Sequence, residues 1–503
     1  MNPNQSNIVN FFTGRSILIT GASGFIGKAL VYKLLTICPE IGEIFILVRD
    51  KRGLNCEQRL TKILENKCFD EIRSTDCDRL NKVKSISGDI SIDGLGISDD
   101  QLKLLQENVS VIIHSAATVK FNEKLRQAVN INLVGTRRMI KLAHSLTKLK
   151  AFVHVSTSYS NCDLETIENK IYPQKIDPQQ LIDCTNWMSD DMINDILPKL
   201  LDKRPNTYTL TKALAETLIA SESDNLPIAI IRPSIVTPSH REPGQGWADN
   251  LNNVVGISQT ISVGVTRVMI ADSTKAVDMI PVDMVVNMIL AIVWHLSDNC
   301  DQINSDQHHY CNKRPPMVFN CTSGQQNPCT AGEAFDRFVK SIRDYPDSTA
   351  IRSPSLHLTT NQWINNSIVI VDQYIPSLIL DIIFTLIGKK PKMVKTCKKI
   401  NSMLEPFEFF NTRDWTFDTT TMVELFNSLN KVDQKLFNFD VKSIDWSDYI
   451  GTVIIGLRQF TSSNGNYNLD EARKRMERTI KLERILEIIL ILMAGLLIYK
   501  LIF

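Results

Sequence analysis

The chain has no Cys-x-x-Cys pair, no surplus of one charge, no internal repeat and no low-complexity tract. Its 11 cysteines are odd in number and scattered, which argues against a disulfide framework and against a cysteine zinc centre. A reducing compartment facing the cytosol follows. The formal net charge of +1 gives no global field toward nucleic acid, so no nucleic-acid partner is expected and electrostatic specificity is local. The start, Met1 to Phe12, is polar and has no basic flank leading into an apolar run, which excludes a secretory signal and reads as a flexible leader over residues 1–13. The run His308-His309-Tyr310-Cys311 lies in a polar stretch from Ser297 to Pro315 that reads as an exposed insertion, so its histidines are bystanders and no metal is assigned.

What is present is ample apolar material. At 503 residues, 43% hydrophobic, the chain is too long for one core, and two or three folded units are expected. From Arg15 onward short apolar runs alternate with helical stretches. Strands are expected at Ser16–Thr20, Glu43–Val48, Val83–Ile86, Val109–Ile113, Ala151–Val155, Ile228–Ile231 and Val318–Asn320. This alternation predicts a doubly wound parallel sheet of Rossmann type, and the near-continuous apolar strands predict that both faces are covered. From about His357 to Gly456 the alternation stops and the sequence reads mostly as helix. The expected organisation is an α/β cofactor-binding and catalytic domain over 14–350, a helical domain over 357–460 and an apolar tail over 485–503.

Thr20-Gly21-Ala22-Ser23-Gly24-Phe25-Ile26-Gly27 follows the first strand and opens the first long helix. In that setting Gly21 permits a tight turn, Gly24 lets the backbone approach a pyrophosphate, and Gly27 allows close packing of the helix on the sheet. The pyrophosphate then meets free N–H groups at the helix N-terminus, with Ser23, Phe25 and Ile26 completing the loop's contacts. About 20 residues beyond the loop, where an acid would favour NADH, stands Arg49, which can pair with a 2′-phosphate and favours NADPH. Lys51 and Arg52 extend the positive patch. Asp50 faces the ribose if the register slips by one. Asp89 and Ile90, after the third strand, are expected at the adenine. Ala116 and Ala117, after the fourth, are expected at the nicotinamide side; Asn132 in the following helix and Pro233 after the strand Ile228–Ile231 are further cofactor-binding candidates.

Tyr208-Thr-Leu-Thr-Lys212 opens a helical stretch, and the i, i+4 spacing puts both side chains on one face. A phenol is a weak acid, with pKa about 10, and a nearby ammonium lowers it. Tyr208 is therefore expected to protonate a substrate oxygen as a hydride arrives, with Lys212 lowering its pKa and binding the cofactor ribose. The fifth strand ends His154-Val-Ser-Thr-Ser158, and a hydroxyl there completes the set of donors. Thr157 is favoured, with Ser156 as rival.

Together these residues resemble the extended short-chain dehydrogenase/reductase superfamily, and Arg232-Pro-Ser234 and Pro281-Val-Asp283 resemble its later landmarks. One branch is resembled more closely, the alcohol-forming fatty acyl-CoA reductases. The matching stretches are Ile17 to Arg49, notably Leu34-Leu-Thr-Ile-Cys-Pro39, then Ile231 to Pro238 and Gly246-Trp-Ala-Asp-Asn250. In the C-terminal part they are Ile375-Pro-Ser-Leu378, Gly388-Lys-Lys-Pro391, Phe407-Glu-Phe-Phe410, Phe437-Asn-Phe-Asp-Val441 and Asp445-Trp-Ser-Asp-Tyr449. The resemblance covers roughly Gly14 to Phe460 and departs at Ser297 to Pro315 and at Gln373-Tyr374. It implies a long-chain fatty acyl-CoA substrate, NADPH as cofactor, and two hydride transfers that pass through an aldehyde to a primary alcohol and CoA. It implies no acyl-enzyme on cysteine, a helical C-terminal domain as a wall of the acyl tunnel, and a role in wax and ether lipid synthesis. The alternative is another extended reductase acting on a sterol-like carbonyl; a membrane-tethered nucleotide-binding scaffold is a rival of a different class.

Ile485 to Phe503 contains only Glu487 and Lys500 as charges, close to the roughly 20 apolar residues of a span. Upstream lie Arg473, Lys474, Arg475, Arg478, Lys481 and Arg484, a cytosolic basic flank that predicts a tail-anchored protein with its catalytic domain in the cytosol. An interfacial helix is the alternative. The resemblance leaves peroxisomal and endoplasmic reticulum membranes both open. A second apolar stretch, Ile368 to Ile387, is interrupted by Asp372, Gln373, Pro376 and Asp381, so it reads as a buried helix or as a patch that dips into the lipid surface.

Overall fold

The computed structural model describes residues 5–250, 253–305, 315–461 and 467–502. The chain forms two compact units whose segments interleave. The first holds Met1–Gly244, Asp278–Pro328 and Trp415–Ile444; the second holds Gln245–Val277, Cys329–Asp414 and Asp445–Phe503. The contiguous division at 350/357 is thus replaced by an interleaved one.

In the first unit, a short helix α1 (Asn7–Phe12) precedes strand β1 (Ser16–Thr20) and helix α2 (Phe25–Ile37). Strands β2 (Ile44–Val48), β3 (Val83–Ser87), β4 (Val109–His114), β5 (Ala151–Val155), β6 (Ile228–Pro233) and β7 (Met317–Cys321) complete one sheet. Its order is β7-β6-β5-β4-β1-β2-β3, and every pairing is parallel. The strand order reverses at β1, so the crevice outside the carboxyl ends of β1 and β4 is the switch point where doubly wound sheets bind ligands. Every residue of β2 and β4 is buried; β2 is an unbroken apolar run, and β4 is apolar but for Ser110 and His114.

The flexible leader expected over residues 1–13 is not what forms. Ile8 and Phe12 are fully buried, and Ser6 caps α1 while donating from Oγ to Asp433 Oδ1 at 2.5 Å. Two large apolar side chains on one face of α1 outweigh the polarity of the residues around them. Residues 1–4 lie outside the described residues.

Residues 415–444, expected within the helical domain, fold into the first unit. Thr416–Phe417 pairs in parallel with Thr166–Ile167, and Asn320 donates to the carbonyls of Ile167 and Asp418. Phe417, Phe437 and Phe439 are buried, so the segment contributes core that the sheet's flank would otherwise lack. The polar stretch from Ser297 also differs from expectation. The helix Val282–Ser305 runs on into it, and Ser297 is buried. His308, His309 and Cys311 lie outside the described residues.

The second unit is mostly helical, as expected, with one parallel strand pair, Val268–Ile270 with His357–Thr359. Gly246 (φ +71°) touches the helix Trp446–Thr461, where a Cβ would strike the Thr452 carbonyl; a Cβ on Gly456 would strike Gly246 in turn. Buried Arg458 donates to Asp347 Oδ2 at 3.1 Å and Ser262 Oγ at 2.8 Å. The tail continues as one helix, Leu469–Ile502.

Candidate active site

The loop after β1 is built for close backbone approach. Gly21 has φ +76°, and a Cβ there would lie 2.8 Å from Ala116 N. Gly27 is just as constrained, but by the loop rather than by the sheet: its Cβ would strike the Gly21 carbonyl and come within 2.5 Å of Ala22 Cα. Gly24 is the N-cap of α2 and has no side chain to offer, so the first N–H groups of the helix face outward beside exposed Ser23. Phe25 and Ile26 form the half-buried first turn. Lys28 is buried and turns its ammonium onto the Ser23 carbonyl at 2.5 Å, bracing the loop from behind. This cradle, which side chains would fill, fits a dinucleotide pyrophosphate.

The positive patch sits at the end of β2. Arg49 Nη1 donates to Asp89 Oδ2 at 3.2 Å, and Ser91 donates to Asp89 through its backbone N–H at 2.9 Å and its hydroxyl at 2.7 Å. Burial pushes the Asp89 carboxyl up, but the bonds from Ser91 and Arg49 outweigh it and hold the group below its usual range. Arg59, on the helix Cys56–Leu64, donates to the Arg49 carbonyl. Crowding by Arg49 and then partial burial lowers the Lys51 ammonium, which shows how dense the cationic cluster is. Arg59 was not singled out in the sequence because it stands on a separate helix after the loop. Ile90, beyond Asp89, is buried.

At the end of β4, His114 is buried and held neutral, its pKa pushed to about 3 by burial and then by the Lys212 charge. Its ring nitrogens meet Thr20 Oγ1 at 2.7 Å and Thr136 Oγ1 at 3.4 Å. Thr20 Oγ1 also accepts from Ala116 N at 3.2 Å, which joins the glycine loop to the half-buried turn of Ala116 and Ala117. Asn132 lies in a π-helical turn, Val129–Val134, and is buried. Its amide accepts from Thr118 N at 2.9 Å and donates to Thr118 O at 3.2 Å and Thr211 Oγ1 at 3.0 Å. It ties the turn after β4 to the helix Thr207–Glu222.

That helix, capped by Asn206, carries Tyr208 and Lys212. Thr157, in the turn after β5, stands beside Tyr208, and its hydroxyl favours the ionised phenol. Ser156 donates from Oγ to Glu216 Oε1 at 2.5 Å. Glu216 also accepts from Ser160 and, through both oxygens, from Arg232. Pro233 closes β6 beside them.

Tyr208 keeps some exposure, yet surrounding protein pushes its phenol up to about 12, and the opposing group is the Thr157 hydroxyl. Lys212 is buried, donates to the Val155 carbonyl at 2.7 Å, and is itself pushed down to about 8 by burial against the raising effect of Glu216. Desolvation dominates both groups because the helix packs tightly on the sheet. Among the described residues no cluster of His, Cys, Asp or Glu is arranged to hold a metal.

Two family models match the chain, both described as male sterility protein: a NAD-binding domain over residues 19–289 and a Sterile domain over 372–464. Fatty acyl-CoA reductase 1 of Homo sapiens is 36% identical over 472 residues, 94% of this chain and 89% of the relative. Fatty acyl-CoA reductase 2 of Homo sapiens is 35% identical over 474 residues, 94% of this chain and 90% of the relative. Among solved structures, the terminal R domain of the myxalamid PKS-NRPS pathway superposes with TM-score 0.56 at 19% identity, over 88% of this chain and 90% of that one. The reductase domain of a non-ribosomal peptide synthetase from Mycobacterium tuberculosis gives TM-score 0.56 at 18% identity, over 90% and 95%. These two share the fold. Rossmann sheet, glycine cradle and Tyr–Lys helix are thus joined to near-full-length similarity, and the chain belongs to the fatty acyl-CoA reductase family.

Proposed function

We propose that this protein reduces long-chain fatty acyl-CoA to primary fatty alcohol and CoA, consuming two NADPH and two protons per thioester. The observation that carries this reading is the helix that sets Tyr208 and Lys212 at the carboxyl edge of the sheet, Tyr208 beside Thr157, in a chain whose relatives at 36% identity are named fatty acyl-CoA reductases.

When bound, the cofactor supplies hydride. Gly21, Ser23, Gly24, Phe25, Ile26 and Gly27 hold its pyrophosphate. Arg49, braced by Asp89, pairs with a 2′-phosphate and makes NADPH the preferred form. Tyr208 and Thr157 together bind the thioester oxygen. The Tyr208 phenol is protonated at neutral pH, the form in which a proton donor must start, and it gives up its proton as the bound oxygen gains charge. Hydride at the carbonyl carbon together with this proton on oxygen would give a hemithioacetal, whose C–S bond breaks as the hydroxyl proton passes to sulfur, leaving an aldehyde and CoA thiol. Tyr208 then protonates the aldehyde oxygen during the second reduction. Lys212 holds the ribose and restores charge balance near the phenol. No cysteine nucleophile takes part: buried Cys162 and Cys321 have thiols raised by burial. The tail, 485–503, anchors the chain in a peroxisomal or endoplasmic reticulum membrane with the Rossmann unit in the cytosol.

The test is product analysis with NADPH and with NADH across acyl-CoAs of increasing length. Alcohol formation with NADPH supports the reading. NADPH oxidation with ketosteroids and none with acyl-CoA would sink it.

A further inference from the structure

The helical segment Gln362–Leu386 is turned inside out for a protein in water. It is long and apolar enough to cross a membrane, yet little of it is buried. It runs as a helix Gln362–Ile368, a π-helical turn Val369–Tyr374 and a helix Ile375–Leu386. On the last helix and the turn before it, the side that faces protein carries Gln373, Ser377 and Asp381, spaced i, i+4, i+8 and all buried. The side that faces out carries Val371, Ile375, Leu378, Ile382 and Leu386, whose exposure runs from 47% to 81%. A contiguous apolar face of this kind marks an interaction surface.

Its surroundings say what covers it. Directly after the helix come Lys389, Lys390, Lys392, Lys395, Lys398 and Lys399, all exposed, and no acidic residue intervenes between Asp381 and Glu405. Asp381 adds no repulsion to the face, since its carboxylate accepts from the backbone N–H groups of Lys392, Met393 and Val394 at 2.8 to 3.0 Å. It thereby fixes the lysine-bearing helix Met393–Leu404 beside the apolar one, with a groove of about 440 Å³ lined by Leu378, Ile382, Leu386, Pro391 and Val394.

The same unit fixes where the tail begins. Arg352 donates to Asp372 Oδ1 at 2.7 Å and to Glu483 Oε1 at 3.1 Å, and Arg267 donates to Asp372 Oδ2 at 3.0 Å. Glu483 further accepts from Ser353 N at 3.0 Å and Ser353 Oγ at 2.6 Å. Asp372 on the π-helical turn and Glu483 at the edge of the apolar tail are therefore held by one arginine. Past that tie the tail exposes Ile485, Ile488 and Leu492.

We infer that the outward face of Ile375–Leu386, with the lysine cluster of 389–399, lies flat on an anionic phospholipid bilayer and seats the helical unit on the membrane independently of the tail. Apolar side chains entering at the headgroup level beside a lysine cluster are the pattern of an interfacial helix. Crossing the bilayer would instead carry the Arg267–Asp372–Arg352 network into hydrocarbon. The inference goes beyond the proposed activity and shares with it only the membrane.

The test is photocross-linking of the full chain in vesicles of phosphatidylcholine and phosphatidylserine. p-Benzoylphenylalanine replaces, one at a time, Ile382, Leu386, Ile488 or, as a control on the Rossmann unit, Leu104. Phospholipid adducts at Ile382 and Leu386 and none at Leu104 are expected. The joint substitution Lys389→Gln, Lys390→Gln, Lys392→Gln should cut the Ile382 adduct yield about fivefold or more. Adducts at Ile488 without adducts at Ile382 and Leu386 would overturn the inference and leave the tail anchor standing. Adducts at Ile382 without Ile488 would support it and refute the anchor. Cross-links from Ile382 to a second copy of the chain, or to no lipid at any position, would also overturn it.

Discussion

Glu216 and Arg232 form an ion pair at 2.6 Å with both side chains withdrawn from water. Glu216 follows Lys212 by one turn of helix and Tyr208 by two, and it also accepts from Ser156 and Ser160 after β5. One carboxylate therefore joins the Tyr–Lys helix, the turn that carries Thr157, and the strand that ends in Pro233. Arg232 spends its remaining donors on the carbonyls of Glu168 and Lys170. Every nitrogen of Arg232 and both oxygens of Glu216 are hydrogen-bonded, which is the condition under which a buried charge is tolerated.

Glu216→Gln should accordingly lose about 3 kcal/mol of stability, because it strands a buried guanidinium without compensating charge. The denaturant midpoint of the full chain reports it. A midpoint within error of the parent would mean that the pair does not organise the site.

Tyr208→Phe is expected to lower alcohol formation by at least about 100-fold, the low end for a positioned general acid, while the Kd for NADPH stays within about twofold. Thr157→Val should fall in the same direction by a smaller factor, with Thr157→Ser recovering most of the rate. Ser156→Ala should act on stability through Glu216 rather than on turnover. Equal losses of kcat for Ser156→Ala and Thr157→Val would reopen the choice between them.

Much of this site was legible in the sequence, and the reason is local. Gly21, Gly24 and Gly27 follow an apolar strand and open a helix, so a short window fixes both conformation and role. Tyr208 and Lys212 share a helix face by spacing alone. What could not be read was set by packing between distant segments. Residues 415–444 look helical and C-terminal, yet Phe417 pairs its strand beside Ile167, 250 positions earlier. The leader reads as polar, yet Ile8 and Phe12 find a buried surface. The segment Ile368–Ile387 carries interrupting polar residues that the sequence cannot orient; only the fold shows that Gln373, Ser377 and Asp381 face inward.

Arg49 is half-exposed, and its contact with Asp89 is too open to matter much for folding. Its value lies in the 2′-phosphate. Arg49→Ala should weaken NADPH by about tenfold or more and leave NADH nearly unchanged, as expected for removing one charged hydrogen-bonding partner. The measurement is the pair of dissociation constants by fluorescence titration. Equal losses for both cofactors would place Arg49 outside the 2′-phosphate site, with Asp50 or Arg59 the next residues to test.

Lys212 gives a pH prediction with a definite sign. Burial lowers its ammonium from 10.5 to about 8, so the folded chain binds fewer protons than the unfolded chain between those two values. Stability attributable to this group therefore rises with pH across that window, and below about pH 8 the buried charge is a fixed handicap. Catalysis should run the other way, since the ammonium that holds the ribose is lost as pH rises past about 8. Lys212→Met should thus be more stable than the parent at pH 7, with the gap narrowing at higher pH, while its alcohol formation is low at every pH. A parent enzyme whose activity climbs steadily to pH 10, with NADPH affinity unchanged, would show that Lys212 does not act as a cation. A Lys212→Met variant less stable than the parent at pH 7 would show instead that the bond to the Val155 carbonyl outweighs the cost of burying the charge.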